Sequence, residues 1–183
     1  MKNLCVFAGS RLGSSPAFSD AARDLVDAVA QRGLGLVYGA GNVGLMNVLA
    51  ETALERGVRV TGIIPNHLVE RDAAHQGLDE LLVVDDMLAR KALMAERSDA
   101  FVAIPGGVGT FDEIFEMLTW AQLGIHDKPC GILNVEGYFD PLRTVIENAQ
   151  AKGFLADAHG RLLQFETEPN RLLDRLLGTG STG

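Results

Sequence analysis

Short apolar runs alternate along this chain with longer stretches whose apolar residues recur at helical spacing. "LCVFA" (4–8) precedes an amphipathic stretch at 16–32, "LGLVYG" (34–39) one at 44–56, and "VRVTGII" (58–64) an irregular stretch from Pro65. "ELLVV" (80–84) is followed by 87–97, "AFVAI" (100–104) by 111–123 and "PCGIL" (129–133) by 138–152, with a last helix at 169–177. Strands apolar on both faces and separated by helices predict an α/β fold, a doubly wound parallel sheet with helices on both faces. Ligands of such sheets bind at the carboxyl ends of the strands, where strand order reverses.

At 183 residues and 47% hydrophobic, the chain suits one domain over 1–178. The "GTGSTG" end has no apolar content to offset ordering entropy, so 179–183 is expected to be a flexible tail. A net charge of −8 argues against a non-specific nucleic-acid surface. Cys5 and Cys130 lie in separate apolar segments without disulfide or metal-site spacing, and no segment approaches a membrane span. A cytoplasmic protein without membrane or nucleic-acid partners is expected.

Three glycine-rich turns follow strands. "GSRLGSS" (9–15) alone reads as readily as a polar turn. "GAGNVG" (39–44) matches a dinucleotide-binding pattern, but "VRVTGII" ends without the acidic residue that would hold a ribose hydroxyl. "PGGVGTFDE" (105–113) is richer. Gly106, Gly107 and Gly109 let backbone approach a ligand, and a helix beginning near Phe111 offers orphan amides and a positive dipole end, an anion site suited to phosphate. No lysine completes a Walker loop. Glu113 has two readings: with Thr110 it spells a T-x-x-E capping box, or it is a catalytic carboxylate. Arg90, flanked at helical spacing by Met87 and Met94, either snorkels to water or carries a planar fork to the site.

The chain resembles the LONELY GUY family of cytokinin riboside 5'-monophosphate phosphoribohydrolases, on "PGGVGTFDE", the Arg90–Lys91 pair, "TWAQLGIHDKP" (119–129) and "YGAGNVGLM" (38–46). The resemblance implies a Rossmann-like fold, a homodimer, no metal or organic cofactor, and cleavage of the N-glycosidic bond of nucleoside 5'-monophosphates. It implies that Arg90 and Glu113 are the catalytic pair. Gly106, Gly107, Val108, Gly109 and Thr110 would bind the 5'-phosphate, with further ligand contacts from Glu70, Lys91 and Thr119. Two positions depart from the family pattern, Ala40 and Asn47 standing where glycines are usual.

The alternative from another class is a non-catalytic binding protein for a phosphorylated pterin or molybdenum cofactor, against which Arg90 and Glu113 argue. No lysine sits in a setting for pyridoxal phosphate, so lysine decarboxylation finds no support. His67, Glu70, Asp72 and His75 cluster in sequence, but their spacing matches no standard metal site and reads as a solvated loop.

Overall fold

The computed structural model describes residues 2–69 and 74–178. Its strands are β1 (Asn3–Phe7), β2 (Gly35–Tyr38), β3 (Val60–Pro65), β4 (Glu80–Val84), β5 (Ala100–Ala103), β6 (Cys130–Leu133) and β7 (Leu163–Glu166). All pair in parallel, in the order β4-β3-β2-β1-β5-β6-β7. The helices are α1 (Pro16–Gln31), α2 (Gly44–Glu55), α3 (Asn66–Val69), α4 (Met87–Glu96), α5 (Val108–Gln122), α6 (Asp140–Ala151), α7 (Asp157–Gly160) and α8 (Pro169–Leu176). This is the expected doubly wound, Rossmann-like sheet.

Two cores explain the two-faced burial of the central strands. Leu25, Val29, Leu45, Leu49, Leu172 and Leu173 from α1, α2 and α8 cover one face. Met94, Ile114, Met117 and Ile146 from α4, α5 and α6 cover the other. β4 alternates instead, leaving Leu81 and Val83 exposed, as an edge strand can. β7 was not expected: "LQFE" is short, with one fully buried position, and its pairing with β6 is what makes it a strand.

Strand order reverses between β1 and β5, so the loops after Phe7 and Ala103 flank the crevice. They touch. Gly9 N–H donates to Pro105 O at 3.1 Å, and a Cβ on Gly9 would lie 3.0 Å from Gly106 Cα. Among the described residues no helix is long and apolar enough to cross a membrane. The 179–183 tail lies outside the described residues.

Candidate active site

At the carboxyl ends of β1, β2, β3 and β5 lies a cleft of about 380 Å³, walled by Gly9, Gly39, Ile64, Arg90, Thr110 and Glu113 among others. The two long helices that follow glycine loops near it meet different fates. The first amides of α2 are taken by the protein itself, Leu45 and Met46 N–H donating to Gly9 O at 3.0 and 3.3 Å. That takes two first-turn amides of α2 out of play for an anion, which weakens the dinucleotide reading, while Gly39, Gly41 and Val43 of the second loop still line the cleft.

α5 is different. It starts at Val108, three residues before the expected position, because Gly107 takes the N-cap place without any side chain to cap it. Val108, Gly109 and Thr110 N–H therefore open on the cleft, at the positive end of a 15-residue helix. Gly107 and Gly109 have no steric neighbour that explains them. A Cβ on either meets nothing within 4 Å beyond its own chain neighbours and helical turn. Gly106 is different, for a Cβ there would overlap Thr110 Oγ1.

The early start also overturns the capping-box reading. Thr110 becomes the third helical residue and Glu113 falls in the second turn, out of reach of the N-cap amide. Glu113 instead meets Arg90, Nη1 to Oε1 3.0 Å, each residue only 8% exposed. Asp86 caps α4 by accepting from Ala89 N–H at 2.8 Å, which places Arg90 in the helix's first turn, beside the strand ends. Arg90 Nε donates to Ile63 O at 3.0 Å and Nη2 to Gly39 O at 3.3 Å. The guanidinium is thus fixed by three elements and does not snorkel to bulk water. Burial pushes the Glu113 carboxyl above the ordinary carboxylate range, outweighing the pull of Arg90.

Gly39 is required by this arrangement, because a Cβ there would overlap Arg90 Nη2. Ala40 is fully buried with φ +57°, a left-handed conformation a glycine adopts without strain. Its carbonyl accepts from His75 N–H at 2.9 Å, so the departure from the family pattern is held by the segment before β4.

Other expected residues fall elsewhere. Lys91 leaves the cleft for α5, pairing with Asp112 at 3.2 Å and Glu116 at 2.9 Å. Thr119 is exposed, its hydroxyl donating to Phe115 O at 2.7 Å, on an outer stripe of α5 with Val108, Phe115 and Leu123. Glu70 lies outside the described residues, as does Asp72. His75 Nε2 lies 2.9 Å from Glu51 Oε1 and Nδ1 accepts from Gly77 N–H, so both ring nitrogens are committed. Among the described residues no group of three or more His, Cys, Asp or Glu could hold a metal ion. Tyr138 was missed by sequence reasoning. Its O–H donates to Gly106 O behind the loop, and no motif announces such a long-range bond to backbone.

Residues 46–176 match the family model described as "Possible lysine decarboxylase". The chain is 49% identical over 152 residues to "Probable cytokinin riboside 5'-monophosphate phosphoribohydrolase LOGL1" of Oryza sativa subsp. japonica, covering 83% of this chain and 68% of the relative. It is 45% identical over 169 residues to "Cytokinin riboside 5'-monophosphate phosphoribohydrolase LOG5" of Arabidopsis thaliana, covering 92% and 73%. Among solved structures, a molybdenum cofactor carrier protein from Chlamydomonas reinhardtii superposes with a TM-score of 0.72 at 20% identity, over 97% of this chain and 98% of that one. At that identity the likeness is one of fold.

Proposed function

This chain belongs to the LONELY GUY family of cytokinin riboside 5'-monophosphate phosphoribohydrolases, and we propose that it hydrolyses purine nucleoside 5'-monophosphates, N6-modified AMP among them, to free base and ribose 5-phosphate. The observation that carries this reading is the buried Arg90–Glu113 pair facing a cleft whose floor is the uncapped start of α5. The amides of Val108 to Thr110 anchor the phosphate, turning binding energy remote from the reacting carbon into orientation there. Glu113 supplies negative charge for the oxocarbenium character that develops at the sugar and orients the attacking water. Arg90 holds that carboxylate by one Nη1 contact and faces the cleft beside it. The departing purine takes its proton from another group or from water.

Among the described residues the cleft lining includes no lysine, and Lys128 is tied to Ala95 O at 2.7 Å as Lys91 is to its acids, so the family model's label finds no chemical support in these residues. A cytoplasmic setting agrees with two free, buried thiols, Cys5 and Cys130.

A homodimer is the assembly we favour. Leu88 on α4 and Val108, Phe115 and Leu123 on α5 leave an exposed apolar stripe. It runs past Lys91 and Thr119, residues to which family resemblance gives ligand contacts. A second copy seated there would cover the stripe and return both to a shared site. Phe115→Asp should shift the sedimentation coefficient to that of a monomer.

The deciding experiment is product analysis after incubation with AMP, isopentenyladenosine monophosphate and the two unphosphorylated nucleosides. Free base should appear from the monophosphates alone. Equal turnover of adenosine and AMP would remove the phosphate anchor from the reading.

A further inference from the structure

The Gly106–Gly107 peptide separates two hollows. In front is the cleft of Arg90 and Glu113, which Gly107 lines. Behind is a second, of about 310 Å³, lined by Gly106, Gly107, Pro105, Phe18, Leu12 and Tyr138 among others. Tyr138 O–H donates to Gly106 O from the back.

The chain holds that tyrosine firmly. Its ring stacks on Phe111 of α5, with centroids 6.5 Å apart and planes 6° from parallel, and meets Phe139 and Phe18 edge-on. The turn that delivers it is tied at several points. Asn134, itself buried, donates its backbone N–H to Glu166 O at 2.7 Å; its Oδ1 accepts from Phe139 N–H and its Nδ2 donates to Asp140 Oδ1, both at 2.8 Å. The Ser15 hydroxyl donates to Glu136 Oε1 at 3.1 Å. Glu136 adopts φ +50°, a left-handed conformation that a non-glycine residue keeps only when its surroundings over-determine it. What this strain delivers is Tyr138.

A peptide unit flanked by two glycines turns over more freely than any other, since no Cβ on either side opposes the rotation. In the trans unit, C=O and N–H point in opposite directions. A carbonyl turned to the front would meet a phosphate with its negative end; an N–H turned to the front would bind it. We propose that Tyr138 is a positioning residue that latches Gly106 O to the back and thereby aims Gly107 N–H into the active-site cleft, as a fourth donor beside Val108, Gly109 and Thr110. The proposal rests on the phosphate-anchor reading of α5 given above. In energetic language, the tyrosine removes the binding penalty of a loop populated only in part in its competent state.

The test compares Tyr138→Phe and Tyr138→Leu with the wild-type enzyme, measuring kcat and KM for AMP, inhibition by ribose 5-phosphate, and Tm. Tyr138→Phe keeps the stacked ring and loses only the hydroxyl. Its Tm should stay close to wild type and its kcat within about twofold, while KM for AMP and Ki for ribose 5-phosphate both rise about 5- to 10-fold, the scale of one lost hydrogen bond. Tyr138→Leu should raise Ki at least as much. Wild-type KM and Ki in Tyr138→Phe would overturn the proposal, as would a shift seen in Tyr138→Leu alone, which would assign the effect to packing. If ribose 5-phosphate fails to inhibit the wild-type enzyme, the phosphate-anchor reading falls and the latch falls with it, an outcome distinct from a silent Tyr138→Phe.

Discussion

Arg90 and Glu113 are 23 residues apart in the chain and come from different helices, yet Nη1 and Oε1 lie 3.0 Å apart at the wall of the cleft, both residues nearly buried. Such a pair is weak evidence for stability, because desolvation offsets most of its attraction. Its placement beside an uncapped helix start is better explained by chemistry. Backbone holds Arg90 from the other side through Ile63 O and Gly39 O, so the carboxylate is presented in one position rather than many.

The pH profile should carry the mark of this burial. Desolvation raises the Glu113 carboxyl above its ordinary 4.5, with Arg90 opposing the shift only in part. In the proposed mechanism the ionised form is the active one, so kcat/KM should fall as pH drops through that raised value, with an acid limb displaced upward from an ordinary glutamate. Arg90→Ala removes the opposing charge and should move the limb of the residual activity higher still. A limb at or below 4.5 in the wild-type enzyme would assign the essential ionisation to another group.

Glycines of the site should separate by what surrounds them. Gly107→Ala meets no protein atom within 4 Å and has φ −98°, so the variant should fold with an unchanged Tm. Its methyl would intrude on a bound phosphate, raising KM for AMP roughly 10-fold or more, as for the loss of one or two charge-assisted hydrogen bonds. Gly39→Ala should act through the protein, because the added Cβ overlaps Arg90 Nη2 and displaces the guanidinium. There kcat should fall as well as affinity. If Gly107→Ala binds AMP normally, the phosphate lies elsewhere.

The alternation of strands and helices was legible because the central strands are buried on both faces and read as unbroken apolar runs. Arg90 was legible as an arginine among methionines. The start of α5 was not, since Val108-Gly109 has poor helix propensity and its helical state is set by the tertiary contacts of the loop. A helix starting near Phe111 would leave the capping box open to Glu113, and the start at Val108 closes it. β7 depends on pairing with β6, and the bond from Tyr138 to Gly106 crosses 32 residues, so neither leaves a local pattern. Lys91 and Thr119 illustrate the reverse case, since motif resemblance gives them ligand contacts whereas their hydrogen bonds in one chain go to α5.

Chelation should leave the activity intact. His75, the member of the histidine and acid cluster at 67–75 whose ring contacts are described, has Nε2 on Glu51 and Nδ1 on Gly77 N–H, so neither nitrogen is open to a metal. After dialysis against EDTA, kcat for AMP should remain within about twofold of its starting value, whereas an enzyme with a catalytic metal site would lose its activity with the ion. Loss of activity with recovery on adding a divalent cation would return that cluster to consideration.

The decisive substitution is Glu113→Gln. Glutamine keeps the shape of the side chain and a carbonyl oxygen that can accept from Arg90 Nη1, which Ile63 O and Gly39 O still help to hold. The charge alone is lost. Glu113 sits in the second turn of α5 and closes no capping box, so its replacement removes no helix cap. It does leave the buried Arg90 guanidinium without its counter-charge, so Tm should fall by roughly 10 °C, about 3 kcal/mol for a chain of this size, with the fold retained. On the proposed reading the phosphate contacts come from Val108 to Thr110, so the Kd for AMP, measured under conditions of slow turnover, should stay within a few-fold of wild type. Stabilising an oxocarbenium-like sugar and orienting water both need the negative charge, so kcat should fall roughly 100-fold or more, the contribution typical of a positioned acid-base group. A loss confined to kcat is the signature of an interaction made in the transition state and absent from the ground state. A folded Glu113→Gln enzyme with near-normal kcat would leave the Arg90–Glu113 pair as a structural ion pair, and the search for the charge facing the anomeric carbon would move to other acids near the cleft.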